Sequence, residues 1–303
     1  MPVSSGGEAG VSLVFFRFFL RGIKESRHLT RGSPPARGLA PWPLPAHNPS
    51  MSHKPNPVRG RLNSWFLAAA EKPMHREYGK RKLRIFGSLP PLIVELGPGS
   101  GANFRYYPCG TRVIAVEPNP MMLKRMYRQA DRHGVEIDLR HAGAEGMEVE
   151  SESADLVVST LVLCSVRDPV RVLAEVRRVL TPGGRFAFDV FQPRLERLCL
   201  DEEPEEEDLR FRHGDEEVVR HARVTRDRAA QLLNVAMRYE RWRGGRVVAN
   251  EETHFQMRWF HRFELEHLMA RAGFDGVRIY GDFDRSPVGL DSPAFVVVAS
   301  AGS

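Results

Sequence analysis

A glycine-rich turn directly after a branched apolar run constrains this sequence more than any other feature. The apolar residues 92–94 end at Glu95, and glycine then takes every second position, as Gly97, Gly99 and Gly101. Glycine accepts a positive φ angle and lets a ligand approach the backbone. Because a strand that ends in such a loop and leads into a helix binds phosphate or nucleotide groups in several folds, we expect a nucleotide site here.

After the loop, strand-like runs alternate with helical patterns as far as Phe191. Such alternation predicts an α/β fold whose centre is a doubly wound, mostly parallel, Rossmann-like sheet. The last two runs are joined only by the polar loop 281–293, which favours an antiparallel last strand. In chain order the strand-like runs are LIVEL, RVIAVEP, VEIDLR, ADLVVSTLVL, RFAFDVF, GVRIY and AFVVVAS.

This alternation is interrupted by an acidic stretch and then by a different pattern. Residues 201–208, DEEPEEED, carry seven carboxylates in eight positions, which predicts a solvated linker. In residues 209–261 apolar and polar side chains alternate, as is typical of β-strands. The sequence RGGR between two of these strand-like runs indicates a hairpin. We therefore predict one domain over residues 56–303, in which residues 192–261 form an acidic linker plus an inserted antiparallel β-sheet lid.

The first 55 residues differ in composition from this domain. Residues 1–50 are rich in proline and carry +4 of the chain's net charge of +6, so the body is close to neutral and nucleic-acid binding is not indicated. The apolar residues 11–24 are interrupted by Arg17 and fall short of the about 20 residues that span a bilayer. We expect residues 1–55 to be a disordered extension, with Met51 as a natural start. Membrane contact through residues 11–24 and a targeting role are the alternatives.

Cysteine and histidine usage points away from metal and disulfide chemistry. The three cysteines show no CxxC spacing, and the histidines are scattered. Neither a disulfide framework nor a metal site is indicated, and a reducing, cytoplasmic location is the expectation. Cys164 lies in an apolar run, which favours a packed core thiol over a nucleophile.

An acid after the second strand-like run narrows the kind of nucleotide. Glu117 follows Gly97 by 20 residues, at a position where a carboxylate can accept hydrogen bonds from ribose hydroxyls. The spacing Gly97-x-Gly99-x-x-Ala102 also fits a dinucleotide loop. The residues alone therefore leave an NAD-type oxidoreductase open.

Four segments in order, VELGPGSGAN, VIAVEPNPMML, DLVVSTLVLCSV and VRRVLTPGGRF, resemble the class I S-adenosylmethionine-dependent methyltransferases over residues 92–191. GANFRYYP and STLVLCSV are similar to a small group that includes thiol methyltransferases. The later segments YERWRGGRVV and YGDFDRSP resemble instead bacterial small-molecule methyltransferases with a β-sheet lid. The resemblance implies S-adenosylmethionine as cofactor and in-line methyl transfer to O, N or S of a small molecule. A cofactor-binding partner protein without catalysis stays open, because this chemistry requires no particular catalytic side chain.

The resemblance also implies roles for individual residues. Glu95 and the glycine loop would contact the methionine moiety of the cofactor, and Glu117 would bind its ribose. Gly143 stands where the family commonly has an aspartate, so backbone atoms of Ala144 and Glu145 would contact the adenine edge. The implied cofactor-binding residues are Glu95, Gly97, Gly99, Gly101, Asn103, Glu117, Pro118, Met122, Ala144, Glu145, Thr160 and Leu161.

The substrate side is expected at the end of the sixth strand and beneath the lid. We predict that the sixth strand ends at Tyr280, so that Tyr280 or Asp282 faces the methyl-transfer site and orients or deprotonates the acceptor. Three lid residues, Tyr239, Arg258 and Trp259, are predicted to line the substrate pocket. A homodimer through the inserted sheet is compatible with this arrangement.

Overall fold

A computed structural model describes His75, residues 78–83 and residues 89–302 of the chain. The predictions for residues 1–55 lie outside the described residues. Residues 78–83 are helical. Within the part of the chain that is described, no helix is long and apolar enough to cross a membrane, and residues 11–24 do not belong to that part.

The centre of the domain is a seven-stranded sheet, as the alternating pattern predicts. Its strands, numbered along the chain, are β1 (Leu92–Leu96), β2 (Arg112–Val116), β3 (Glu136–Arg140), β4 (Ala154–Thr160), β5 (Leu180–Phe191), β10 (Phe274–Tyr280) and β11 (Ala294–Ala301). They lie in the order β10-β11-β5-β4-β1-β2-β3. Strands β1 to β5 are parallel, and β11 is antiparallel to both β5 and β10. The predicted antiparallel last strand is confirmed, but β11 lies inside the sheet and β10 at its edge.

Local sequence signals set the ends of the two longer helices that cover this sheet. Asn119 caps the first with a side-chain oxygen that accepts from the Met121 amide at 3.0 Å, and Gly134 ends it with a φ of 66°. Asp168 caps the second by accepting from the Arg171 amide at 3.1 Å. The α-helices are α1 (Pro120–His133), α2 (Pro169–Val179), the short α3 (Leu195–Leu198) and α4 (Arg262–Arg271), and a 3₁₀ turn spans Phe104–Tyr106.

Helices cover both faces of the sheet, and side-chain alternation assigns each residue of a strand to one face. Val94 packs in the core that contains α2 and α4. Ile93 packs in the core that contains α1 and the 3₁₀ turn. Glu95 therefore projects toward the α1 face, where the helical residues 78–83 also pack over β11.

The inserted lid is a four-stranded antiparallel meander, as the alternating pattern of this region predicts. Its strands are β6 (Glu202–His213), β7 (Glu216–Asp227), β8 (Leu232–Arg243) and β9 (Arg246–Arg258), in that order across the sheet. Gly244 and Gly245 join β8 to β9 with φ angles of 55° and 76°. Two consecutive positive φ angles are the requirement of the tight hairpin turn that RGGR predicts.

The prediction that residues 201–208 form a solvated linker is wrong, because all but the first of them belong to β6. Local charge density suggests mutual repulsion, but arginines on the neighbouring strand neutralise it. Asp208 receives two hydrogen bonds from Arg220, at 2.8 and 2.7 Å, and Glu202 pairs with Arg223 at 2.8 Å. The lid thus begins at residue 202 rather than 209.

The apolar face of the lid packs against the segment that follows β4. Trp259, Val235 and other lid residues form one buried cluster with Cys164 and Phe191. The Arg258 amide donates to the Cys164 carbonyl at 2.7 Å, which fixes the end of β9 to that segment. Burial raises the pKa of Cys164 to about 12, as expected for a packed core thiol. The lid therefore lies at the carboxyl edge of the parallel strands.

Candidate active site

The glycine loop connects β1 to the 3₁₀ turn in a conformation that side chains disfavour. Gly97, Gly99 and Gly101 have φ angles of 56°, 58° and 82°. A Cβ atom on Gly97 would lie 2.7 Å from Cγ2 of Val162, and one on Gly101 would lie 2.8 Å from the Phe104 ring. The loop is therefore tight as well as left-handed, and the Gly97 and Gly101 amides hold it in place by donating to the carbonyls of Val116 and Pro98, each at 2.9 Å.

Glu117 joins the end of β2 to the glycine loop. Its side chain is buried, Oε2 accepts from the Gly99 amide at 3.0 Å, and Oε1 accepts from the Asn119 amide at 2.8 Å. Burial raises the pKa of Glu117, whereas the two amide donors favour the charged form. Each carboxylate oxygen can accept a second hydrogen bond. This arrangement suits a ligand with two neighbouring hydroxyl groups, such as a ribose.

Glu95 lies at the centre of a buried polar cluster on the α1 face. Its Oε1 accepts from Nδ2 of Asn103 at 2.8 Å, and its Oε2 accepts from the Tyr107 hydroxyl at 2.8 Å. Burial raises the pKa of Glu95 to about 7. A carboxylate with this pKa ionises readily when a cation comes to lie beside it.

Asn103 connects Glu95 to two further elements. Its Nδ2 also donates to Oγ1 of Thr160 at 2.9 Å, and its Oδ1 accepts from Nζ of Lys82 at 3.1 Å. Thr160 hydrogen-bonds Asp189 on the neighbouring strand β5, and burial raises the pKa of Asp189 to about 6. We refer to Lys82, Glu95, Asn103, Thr160 and Asp189 together as the Glu95 cluster.

Sequence analysis missed three contributors to this site, namely Lys82, Tyr107 and Asp189. Lys82 comes from a helical segment before β1 that carries no methyltransferase motif. Asp189 lies in an apolar run, and only the alternation of side chains along the strand places it on the α1 face. Tyr107 lies four residues after Asn103. Its aromatic ring indicates packing in the hydrophobic core and gives no sign of a hydrogen bond to Glu95. Tyr78 and Lys82 also have Tyr-x-x-x-Lys spacing, which the sequence analysis overlooked.

The residues implied for the adenine lie at the rim beyond Glu117. Met122 and Ala144 are buried, whereas Pro118 is exposed. The Glu145 side chain points to the start of α2, where Oε1 accepts from the Arg167 amide at 2.9 Å. Contact between the backbone of Glu145 and an adenine stays a prediction.

The segment after β4 carries backbone strain next to the cluster. Leu161 has a φ of 55° although it bears a side chain, and its amide donates to the Asp189 carbonyl at 3.2 Å. A non-glycine residue in this region costs about 1–3 kcal/mol and is found most often at functional sites. Thr160 thus belongs to the Glu95 cluster, and Leu161 begins the segment that leads from this cluster to the lid.

On the substrate side, β10 ends at Tyr280 as predicted. Tyr280 packs against a small cluster that includes Tyr78 and Phe283. Asp282 is buried, its Oδ1 accepts from the Phe283 amide at 2.6 Å, and its other oxygen pairs with Arg81. Asp282 is thus held in place by neighbours on two segments, and its role toward an acceptor stays a prediction.

The three lid residues predicted to line the pocket do not converge on one point. Tyr239 and Trp259 are buried in the same apolar cluster as Cys164. The Arg258 guanidinium instead donates through Nη1 to the Ala230 carbonyl at 2.9 Å, which holds the turn between β7 and β8. Their predicted contact with a substrate stays a prediction. Within the described ranges, no group of three or more His, Cys, Asp or Glu residues is arranged to hold a metal ion.

Together the strand order, the left-handed glycine loop after β1 and the buried acid after β2 form the arrangement that is typical of class I S-adenosylmethionine-dependent methyltransferase domains. The cofactor of this class is S-adenosylmethionine, and the residues present fit it. Glu117 offers acceptors to a ribose diol, the glycine loop leaves no room for a Cβ atom, and Glu95 is a buried acid able to face an ammonium group.

Comparisons with known proteins agree with this class. Residues 94–188 match a protein family described as Methyltransferase domain. Thiol S-methyltransferase TMT1B of Mus musculus is 35% identical over 156 residues, which cover 48% of this chain and 64% of that protein. Thiol S-methyltransferase TMT1A of Homo sapiens is 36% identical over 135 residues, which cover 41% of this chain and 55% of that protein. The chain thus spans less than two thirds of the length of these curated relatives.

Solved structures share the fold. The CcbJ methyltransferase from Streptomyces caelestis superposes with a TM-score of 0.60 at 21% identity, covering 74% of this chain and 95% of that one. The S-adenosylmethionine-bound amino pentose methyltransferase CalS10 from Micromonospora echinaspora superposes with a TM-score of 0.55 at 19% identity. This alignment covers 81% of this chain and 94% of that one. Because both alignments cover far more of this chain than residues 94–188, the likeness in fold extends beyond the matched family region.

Proposed function

We propose that this chain transfers the methyl group of S-adenosylmethionine to a small-molecule acceptor. The observation that carries the proposal is the hydrogen bond of 3.0 Å between the Gly99 amide and Glu117 Oε2. It fixes the glycine loop and the ribose-binding acid to each other at the carboxyl edge of the sheet, beneath a lid. A site with this geometry at a topological switch point is suited to a nucleoside cofactor.

The protein's own contribution to such a reaction is binding, orientation and exclusion of water. The cofactor, when bound, supplies a methyl group already activated by a sulfonium. Glu117 and the glycine loop orient the nucleoside, and the Glu95 cluster receives the amino-acid end. The lid, packed on the segment around Cys164, excludes water from the side on which an acceptor must approach.

A general base is required only when the acceptor arrives protonated. Asp282 is held by Arg81 and by the Phe283 amide, which suits a residue that orients an acceptor. We propose this positioning role for Asp282 and a supporting packing role for Tyr280. Tyr239 and Trp259 would shape the apolar side of the pocket, while Arg258 would stabilise the lid.

A thiol is the first acceptor to test. The relatives with 35% and 36% identity are named thiol S-methyltransferases. A thiol also ionises near neutral pH and needs little help from a base. Amines and hydroxyl compounds are the other acceptors to test, because the solved structures with a similar fold include an amino pentose methyltransferase.

An NAD-type oxidoreductase is the competing hypothesis, and Tyr78 and Lys82 have a spacing found in some of those enzymes. Here Tyr78 packs edge-on against Phe283 with ring centroids 6.1 Å apart, and Lys82 bonds Asn103. Both side chains also lie against the Phe283 ring, with the Lys82 ammonium 4.9 Å from its centroid, so packing and the bond to Asn103 account for their positions. A cofactor-binding partner protein without turnover is the second alternative.

Calorimetry with S-adenosylmethionine, S-adenosylhomocysteine and NAD tests the cofactor. We expect both sulfur compounds to bind and NAD not to bind. Glu117→Ala should weaken binding by about 1.5–3 kcal/mol for each charge-assisted hydrogen bond lost. Glu136→Ala, at an exposed strand end, is the matched control. Tight NAD binding without binding of either sulfur compound would overturn the proposal.

Turnover is tested separately with cofactor labelled in the methyl group and a panel of thiols, amines and hydroxyl compounds. Label transfer to any of these compounds supports the enzyme, and its chemical class identifies the acceptor atom. Cofactor binding without transfer to any compound in the panel favours the non-catalytic partner protein.

A further inference from the structure

Lys82 is the buried basic residue of the Glu95 cluster. It belongs to the helical segment 78–83, and its Nζ donates to Asn103 Oδ1 at 3.1 Å. The same ammonium lies 4.9 Å from the centroid of the Phe283 ring, on the substrate side of the sheet. The neighbouring Arg81 pairs with Asp282 on that side. The segment 78–83 thus contacts both the Glu95 cluster and the loop after β10.

The charges around Lys82 are unbalanced. Its ammonium faces the carboxylates of Asp189 and Glu95, and both acids are at least 95% buried. One positive charge therefore faces two buried negative charges when both acids are ionised. Buried charges are costly unless they are paired, so the cluster is arranged to accept a second cation. The amino group of the cofactor's methionine moiety is a cation of the required kind.

We propose that Lys82 is a positioning residue of the cofactor site, which holds Asn103 against Glu95 and favours the ionised form of Glu95 that receives an amino group. This inference rests on the proposed function, since it takes S-adenosylmethionine as the ligand. Asn103 is the mechanical link, because its Oδ1 binds Lys82 while its Nδ2 binds Glu95 and Thr160. Without Lys82 the Asn103 amide loses the hydrogen bond at its oxygen, and the two acids lose the positive charge that favours their ionised forms.

The titratable and charged groups around this site come from several elements. Tyr107 and Glu117 face Glu95, and burial raises the pKa of both. Among the described residues, further charged or titratable neighbours are Arg105, which faces Lys82, His141, which faces Glu117, and Cys164, which faces Asp189. The positive charge of Lys82 lowers the pKa of Glu95, so removing it should move that pKa upward. A role limited to packing would not produce this shift.

The test measures binding of S-adenosylhomocysteine to the full chain by calorimetry between about pH 5.5 and 8.5, a range that spans ordinary histidine and perturbed carboxyl titrations. Lys82→Met removes the charge, Lys82→Gln removes the charge but keeps an N–H donor, and Lys82→Arg keeps the charge. Lys80→Met, at an exposed position of the same segment, is the control. Melting temperatures without ligand report whether each variant folds.

In the native chain we expect affinity to fall as the pH drops through the pKa of Glu95. Lys82→Met should lose at least about tenfold in affinity near neutral pH, as expected when a buried charged partner is removed. The midpoint of its pH profile should move upward, and Lys82→Gln should show the same movement. Lys82→Arg should retain the native midpoint, and Lys80→Met should match the native chain throughout.

A double-mutant cycle tests the link through Asn103. If Lys82 acts partly through Asn103, then the affinity lost in the double variant Lys82→Met with Asn103→Leu should be smaller than the sum of the two single losses. Native affinity in both Lys82→Met and Lys82→Gln, or a loss of affinity with an unmoved midpoint, would overturn the inference. If Lys82→Met does not fold, Lys82→Gln decides the question. Failure of the native chain to bind S-adenosylhomocysteine is a different result, which overturns the proposed function itself.

Discussion

Asn103 Nδ2 lies 2.8 Å from Glu95 Oε1, and both side chains are buried. This contact joins the acid at the end of β1 to the residue that begins the 3₁₀ turn, so the glycine loop between them is fixed at both ends. The loop is consequently a preformed part of the site rather than one that folds around a ligand. Preorganised sites lose less entropy on binding.

The left-handed geometry of the loop makes Gly97 sensitive to any side chain. Gly97→Ala should destabilise the fold by about 1–3 kcal/mol from the positive φ, with a further cost from contact with Val162. Gly110→Ala is the control, because Gly110 has a φ of 84° but no atom within 4 Å of its hypothetical Cβ. Urea unfolding should show the larger loss for Gly97→Ala, partly recovered by Val162→Ala. Equal losses for the two glycine variants would rule out the steric term.

The buried ion pair of the lid should be costly to break. Arg220→Met leaves Asp208 buried without the guanidinium that gives it two hydrogen bonds, and should destabilise the protein by about 3–5 kcal/mol. Arg223→Met breaks an exposed pair and should cost about 0–1 kcal/mol. Replacing both partners, as Asp208→Leu with Arg220→Met, should recover much of the loss. Thermal unfolding distinguishes these cases, and equal effects of Arg220→Met and Arg223→Met would contradict the prediction.

Acids buried in the Glu95 cluster make the stability of the ligand-free protein depend on pH. Burial raises the folded-state pKa of Glu95 to about 7 and that of Asp189 to about 6, above the ordinary values of the unfolded chain. The folded state therefore holds protons that the unfolded state has lost, and stability falls as the pH rises through these values. Melting temperatures should fall from about pH 5 to 8 more steeply in the native chain than in Glu95→Gln.

Glu150→Gln is the control for that pH series, because Glu150 is exposed. Its melting temperatures should follow the native chain over the whole range. A Glu95→Gln protein whose pH profile matches the native one would contradict the assigned burial of Glu95.

Asp282 should matter for turnover rather than for cofactor binding. Asp282→Asn should lower kcat by at least about tenfold, equivalent to about 1.4 kcal/mol in the barrier, because it weakens the contact that orients the acceptor. The affinity for S-adenosylhomocysteine should stay at the native value. Asp291→Asn changes an exposed acid in the same loop and should have no effect on kcat. Arg81→Met should mimic Asp282→Asn if the ion pair sets the position of the carboxylate, and native kcat in Asp282→Asn would refute the proposed role.

Residues 1–50 should contribute little to the stability of the domain. A truncated chain that begins at Met51 should have the same melting temperature and cofactor affinity as the full chain, because the first segment is rich in proline and precedes the methyltransferase pattern. Calorimetry and thermal unfolding of the two chains test this. A drop of several degrees on truncation would show that the segment packs on the domain, and loss of vesicle binding alone would favour membrane contact through residues 11–24.

The sequence by itself determined the elements that depend on local patterns. Alternation of strands and helices predicted the sheet, Gly134 ended α1, and the glycine pair 244–245 predicted a hairpin. The spacing from Gly97 to Glu117 predicted the nucleoside site, because consecutive parallel strands bring their carboxyl ends to one edge. These inferences need only neighbouring residues and one rule of topology.

Tertiary structure decided which distant charges compensate one another. The acidic residues 202–208 form a strand because arginines on β7 lie opposite them, and their local sequence gives no sign of that pairing. Lys82 and Asp189 are separated by over a hundred residues, yet they belong to one buried cluster because the segment 78–83 packs on the face to which Asp189 projects. The cost of burying a charge depends on what the fold places beside it, and this only the folded chain determines.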